Sequence, residues 1–186
     1  MSRAYRIAVA ESLARHVRVE DGVCASLEIL PVLPRERMAG ILMAELAQRG
    51  FVQEGSTARR KDKDGVEVTV DLEGGSVTVR LTQEKDLNLE AKRVANIDEA
   101  QKKVAEAKLR ADAREELEHQ AEREEKKLTE EVARRLEGKL RDLRQELDQV
   151  SNRVTASALK VRASQLGQIE EIHEEPDGSM TIKVKL

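Results

Sequence analysis

The chain has 186 residues, with 33 Lys and Arg against 36 Asp and Glu and a formal charge of -3. Charged residues make up 37%, above the roughly 25% of an ordinary globular domain, and Tyr5 and Phe51 are the only aromatics. A large aromatic core is thereby excluded, stacking on nucleic-acid bases lacks its platforms, and the near-neutral balance argues against a dedicated DNA- or RNA-binding module.

Cys24 is the sole cysteine, so no disulfide can form within one chain. A lone cysteine is expected to behave as a small buried hydrophobe. No run of about 18 apolar residues exists, so no membrane span is expected. The apolar stretch from Ile7 to Ala10 is too short for a signal segment, and the expected compartment is the cytoplasm.

Residues 1–86 read as a small β-β-α-β-β-β domain. Tyr5, Ile7, Val9, Leu13, Val17 and Val19 keep a period of two, the mark of one strand face. Glu20-Asp21-Gly22 carries turn chemistry, and Val23, Ala25, Leu27 and Ile29 resume the alternation, which predicts a β-hairpin ended by Pro31 and Pro34. Met38, Ile41, Leu42 and Leu46 then predict a helix with one apolar stripe, Glu45 at its edge and Gly50 at its C-terminal cap. A short strand at Phe51 and Val52, a strand from Thr57 to Arg60, and strands at Val66–Val70 and Val77–Leu81 follow, separated by turns at 61–65 and 73–75. The basic run Arg59, Arg60, Lys61, Lys63 reads as a solvated turn.

Residues 87–166 read as a long helical arm. This span lacks proline, has Gly138 as its only glycine and no reversal signal near its middle, and carries 15 basic and 17 acidic residues between Leu87 and Val150. Glu106 and Arg110, or Glu137 and Arg141, stand four apart with the acid first, an order that supports exposed helix. Leu128, Val132, Leu136, Leu140, Leu143, Leu147, Val150 and Val154 form a narrow apolar seam with coiled-coil spacing and one stutter. Val94, Ile97, Val104 and Ala111 continue it more weakly upstream. Such a stripe must be covered, by a fold-back or by a second chain. With only Ser151-Asn152 as a candidate break, the expectation favours a homodimer through the arm.

Residues 167–186 read as a β-hairpin. Glu174-Glu175-Pro176-Asp177-Gly178-Ser179 supplies the turn, and Met180, Ile182, Val184 and Leu186 alternate with polar residues. Isolated two-stranded hairpins are marginal in water, so this one is expected to dock on a sheet. The fold class is therefore α+β: a small antiparallel sheet with one packed helix, a coiled-coil arm and a C-terminal hairpin.

No chemistry-bearing constellation emerges. His16, His119 and His173 have no Cys or His at zinc-ligand spacing, and neither a phosphate loop nor a nucleophile elbow is present. No catalytic, cofactor-binding or metal-ligating residue is assigned. The seam residues are the candidate interaction residues. Asn152, Arg153, Thr155 and Gln165 form a less charged patch suited to a partner. An enzyme with an unrecognised site in the N-terminal domain and a weak nucleic-acid binder are the competing readings. The first needs a pocket with perturbed acids, and the second needs a one-sided basic stripe.

Several stretches resemble one family. They are Tyr5-Arg6-Ile7 through Glu11-Ser12-Leu13, Val19-Glu20-Asp21-Gly22-Val23, Leu27-Glu28-Ile29-Leu30-Pro31, Asp64-Gly65-Val66-Glu67-Val68-Thr69-Val70, Asn152 through Lys160, and Gln165 through Ile172. Together they are similar to the accessory proteins of bacterial FtsH ternary systems, over nearly the whole chain. Those systems place an FtsH-like or MoxR-like AAA+ ATPase beside a von Willebrand factor A protein. The resemblance implies a non-enzymatic adaptor in an NTP-dependent assembly of conflict or stress response. It implies an AAA+ ATPase or a von Willebrand factor A protein as partner, and no functional residues carry over. No cofactor, nucleic acid or membrane is expected among its ligands.

Overall fold

The computed structural model describes residues 4–98, 101–174 and 180–185. In chain order the elements are β1 (Ala4–Ser26), α1 (Arg35–Ala47), β2 (Val52–Glu54), β3 (Thr57–Lys61), β4 (Val66–Asp71), β5 (Ser76–Asp98), α2 (Lys102–Leu166), β6 (Gln168–Glu174) and β7 (Met180–Lys185). Five strands form one antiparallel sheet in the order β1-β5-β4-β3-β2, and β6 and β7 form a separate two-stranded antiparallel sheet. The class is α+β, as the hydrophobic periodicities predict. No described helix is long and apolar enough to cross a membrane.

Two segments differ from the sequence-based expectation. The hairpin predicted around Glu20-Asp21-Gly22 is absent, because β1 runs straight through it for 23 residues. Gly22 serves a close backbone approach instead: a Cβ there would lie 2.9 Å from the Val79 carbonyl oxygen. The second difference is at 87–98, which is the second half of β5 rather than the start of the arm. Leu87 and Ala91 are buried and Leu89 is half-buried, a period of two that a charge-rich setting disguises. Cys24, expected inside, is exposed on β1, with its Sγ 3.2 Å from Thr78 Oγ1.

The chain divides into two compact units, Met1–Glu20 with Thr82–Arg134 and Asp21–Leu81 with Arg135–Leu186. In the first unit, the first half of α2 lies on strands β1 and β5. Val17, Leu87, Ala121 and Leu128 form one buried cluster, with Leu13, Val19 and Leu89 against it. Ala91, Ala113 and Leu117 form a second. Alanines at 113 and 121 let the helix approach the strands closely. The buried positions are therefore 113, 117 and 121, not the expected Val104 and Ala111; Val104 is 76% exposed. Val94 lies on β5 and is also exposed.

In the second unit, β3 pairs with β4 through Ala58 opposite Val70 and Arg60 opposite Val68. Strand β4 pairs with β5 through Val66 opposite Leu81, Val68 opposite Val79 and Val70 opposite Val77. Ala58, Val66, Val68, Val70, Val77, Val79 and Leu81 are all buried. Burying each such valine or leucine stabilises by about 1.5–3 kcal/mol. Helix α1 buries Leu42 and Leu46, as its stripe predicts. It ends in a Schellman motif: Phe51 N–H donates to Leu46 O, Gly50 N–H donates to Ala47 O, and Gly50 takes φ +80°. The C-terminal hairpin pairs Ile169 with Val184 and Ile172 with Ile182, and none of its described residues is fully buried. The turn expected at Glu174–Ser179 lies, beyond Glu174, outside the described residues.

Candidate interaction surface

The eight seam residues occupy one stripe of α2, but the stripe faces inward within a single chain. Leu128 and Val132 are buried in the first unit, and Leu136, Leu143, Leu147, Val150 and Val154 in the second; Leu140 is half-buried. In the first unit the mate of the seam is strand, not helix, as the cluster of Leu128 with Val17 and Leu87 shows. For this part of the stripe, strands of the same chain take the place of the expected fold-back or second arm. There, the first-unit parts of β1 and β5 supply the apolar face. Ser151-Asn152 breaks nothing either: α2 runs through it, and Ser151 is buried.

A string of charges fastens α2 in the second unit. Arg60 stands on the apolar face of β3, two residues from buried Ala58, with its side chain 17% exposed. Its Nη1 donates to Glu146 Oε1 at 2.7 Å and its Nη2 to Glu146 Oε2 at 3.0 Å, a bidentate pair. Nη1 also donates to the Arg49 carbonyl at 3.1 Å, and the guanidinium stacks over Phe51, 4.5 Å from the ring centroid. Hydrogen bonding to Glu146 raises the Arg60 pKa, against the cost of burial. The string continues on both sides. Arg49 lies 3.4 Å from Glu45 and 3.9 Å from Glu146, and Arg153 lies 3.9 Å from Glu45. Arg60 Nε faces Asp62 at 3.1 Å, and Lys139 reaches Asp62 at 3.4 Å and Asp64 at 2.9 Å. The Lys139 hydrogen bond lowers the Asp64 pKa, and Asp64 in turn raises that of Lys139.

The first unit uses rungs rather than a string. Glu11 faces inward on β1 and is held by Arg110 at 3.7 Å and Arg114 at 3.2 Å. Arg15 pairs with Glu118, Arg93 with Glu116 at 2.6 Å, and Lys85 with Glu124 at 2.8 Å. Lys127 and Lys85 bracket Glu124 and pull its pKa down to about 2. Along the helix, Glu106 and Arg110 make the predicted pair at 3.0 Å. Many other charges of α2 reach across to a neighbouring element instead.

Within the basic run at 59–63, Lys61 and Lys63 are exposed as expected, whereas Arg59 and Arg60 are structural. Arg59 bridges Glu54 and Glu67 across neighbouring strands, while Arg60 carries the clamp. The signal that could reveal it is the period: Arg60 keeps the face of Ala58. The histidines are exposed, His16 on β1, His119 on α2 and His173 on β6. His16 Nδ1 lies 2.7 Å from Asp86 Oδ1, which raises its pKa. His119 sits between Glu115 and Glu122. Among the described residues, no group of three or more His, Cys, Asp or Glu converges to hold a metal ion. The residues of the expected patch are drawn to different partners: Arg153 to Glu45, and Gln165 to Arg162. The arrangement fastens a helix and presents an ionic exterior.

A family model described as FtsH ternary system domain X5 matches residues 1–186, and the chain belongs to that family. No curated protein and no solved structure matches the chain.

Proposed function

We propose, with that membership as premise, that the chain is a non-enzymatic interaction module, an accessory component that binds an AAA+ ATPase of an FtsH ternary system. The observation that supports this reading is the inward fastening of α2. Its apolar seam and its ionic clamps are engaged within the chain. In the second unit the outer side of the helix, where Glu137, Arg141, Arg144 and Asp148 are exposed, is thereby held as a surface of interleaved charge. A rigid surface of this kind gives specificity and fast encounter with a charge-complementary partner.

The test is co-assembly of the purified chain with the AAA+ ATPase and the von Willebrand factor A protein of the same system. Co-elution is expected, with a changed ATP hydrolysis rate and with binding that weakens as salt rises. Failure to co-elute with either protein at low salt rejects the reading.

A further inference from the structure

The second unit contains a half-open cavity of about 230 Å³ that the clamp does not use. It lies between residues 27–33, the first turns of α1 and the turn joining β4 to β5. Its floor is Leu33, Leu42 and Leu72, all buried, and half-buried Leu27, Ile29 and Met38 form its walls. The volume, apolar at its floor and polar at its mouth, exceeds the roughly 150 Å³ that admits a benzene-sized group, so one branched aliphatic side chain fits on the floor.

The mouth is polar in a specific way. Arg35, the first residue of α1, lines it, is exposed, and makes no ion pair among the described residues. Helix α1 starts from Pro34 without a side-chain cap, and its first amide donations are from Arg37 and Met38 to Pro34 O. The amides of Arg35 and Glu36 thus remain open to an acceptor at the positive end of the helix. Glu73 stands on the mouth as well, from the β4–β5 turn. A guanidinium and free helix amides beside an apolar hole match an aliphatic residue that carries its own carboxylate. A carboxylate at Glu73 matches a basic residue next to it.

We propose that this cavity holds the C-terminus of a partner polypeptide: a final Leu, Ile or Val in the hole, its α-carboxylate on Arg35 and the α1 N-terminus, and a basic penultimate residue toward Glu73. The inference rests on the partner-binding reading and names a site for it. Its test needs the isolated chain alone, so it fails separately from the co-assembly assay.

The experiment is a fluorescence-anisotropy titration of the full chain with a labelled hexapeptide ending in Lys-Leu. Saturable binding with a Kd below about 1 mM is expected. C-terminal amidation and the Arg35→Ala variant should each weaken it at least about tenfold, and Glu73→Lys should weaken it for the Lys-Leu peptide but not for an Asp-Leu peptide. Arg35 is exposed, so an unchanged melting curve verifies that this variant is folded. Equal affinity for free and amidated peptides overturns the proposal, as does an absence of saturable binding. Free leucine binding as tightly as the peptide also overturns it, since the site would then serve a small molecule.

Discussion

The Arg60 guanidinium and the Glu146 carboxylate, 86 residues apart in sequence, meet through two parallel hydrogen bonds of 2.7 and 3.0 Å. One belongs to a strand and the other to a helix, and neither is fully exposed. Exposed ion pairs contribute about 0–1 kcal/mol, whereas a charged group left half-buried without its partner loses more.

Glu146→Gln should therefore lower unfolding stability by about 2 kcal/mol. The urea midpoint reads this. A cycle with Arg60→Met should return a coupling energy of about 1–3 kcal/mol, and additive losses would show that the pair is decorative.

The seam makes a second prediction. Leu143→Ala removes a buried side chain and should cost about 2–5 kcal/mol, with loss of helix signal at lower denaturant. The double change of Leu143 and Leu147 to Asp should leave the second unit unfolded. A native circular dichroism spectrum for the double variant would refute the inward packing of the stripe.

Acid should loosen the first unit through Glu124. Its folded pKa, about 2, lies below the ordinary 4.5, because Lys127 and Lys85 favour the carboxylate. A depressed carboxylate contributes stability above its unfolded pKa and loses it as pH falls through the folded value. The contribution is thus complete above pH 4.5 and disappears between there and pH 2. Glu124→Gln should be less stable than the parent at pH 7 and equal to it near pH 2. Stability curves that stay parallel over that range would remove Glu124 from the account.

Gly22 supplies a steric prediction. Any side chain there must displace the Val79 carbonyl, a backbone atom 2.9 Å from the added Cβ. Gly22→Val should cost about 1–3 kcal/mol despite raising β-propensity. A gain in melting temperature would mean that the close approach relaxes freely.

The small strands and α1 were legible because burial is one-sided there: Val66, Val68 and Val70 alternate, and Leu42 and Leu46 recur at helical spacing. The long strands were not. Glu20-Asp21-Gly22 has the composition of a turn, and only the proximity of Val79 gives Gly22 another purpose. Leu87, Leu89 and Ala91 alternate, but no proline or glycine separates them from the helix that follows. The burial of the seam is legible in its spacing and its cover is not, since a stripe reports that it is covered and not by what. Arg60 hid inside a basic run, because burial of a single cation depends on a glutamate that only folding brings near.

The rungs of the first unit have a further effect on alignment. Ala113, Leu117 and Ala121 repeat every four residues, so grease alone distinguishes weakly between neighbouring settings of the helix, one turn or about 5.4 Å apart. Charge resolves the ambiguity. Sliding α2 by one turn in one direction would set Glu118 where Arg114 now meets Glu11; sliding it the other way would set Arg114 where Glu118 now meets Arg15. Either displacement confronts like with like, so the ions act as a vernier that admits one position.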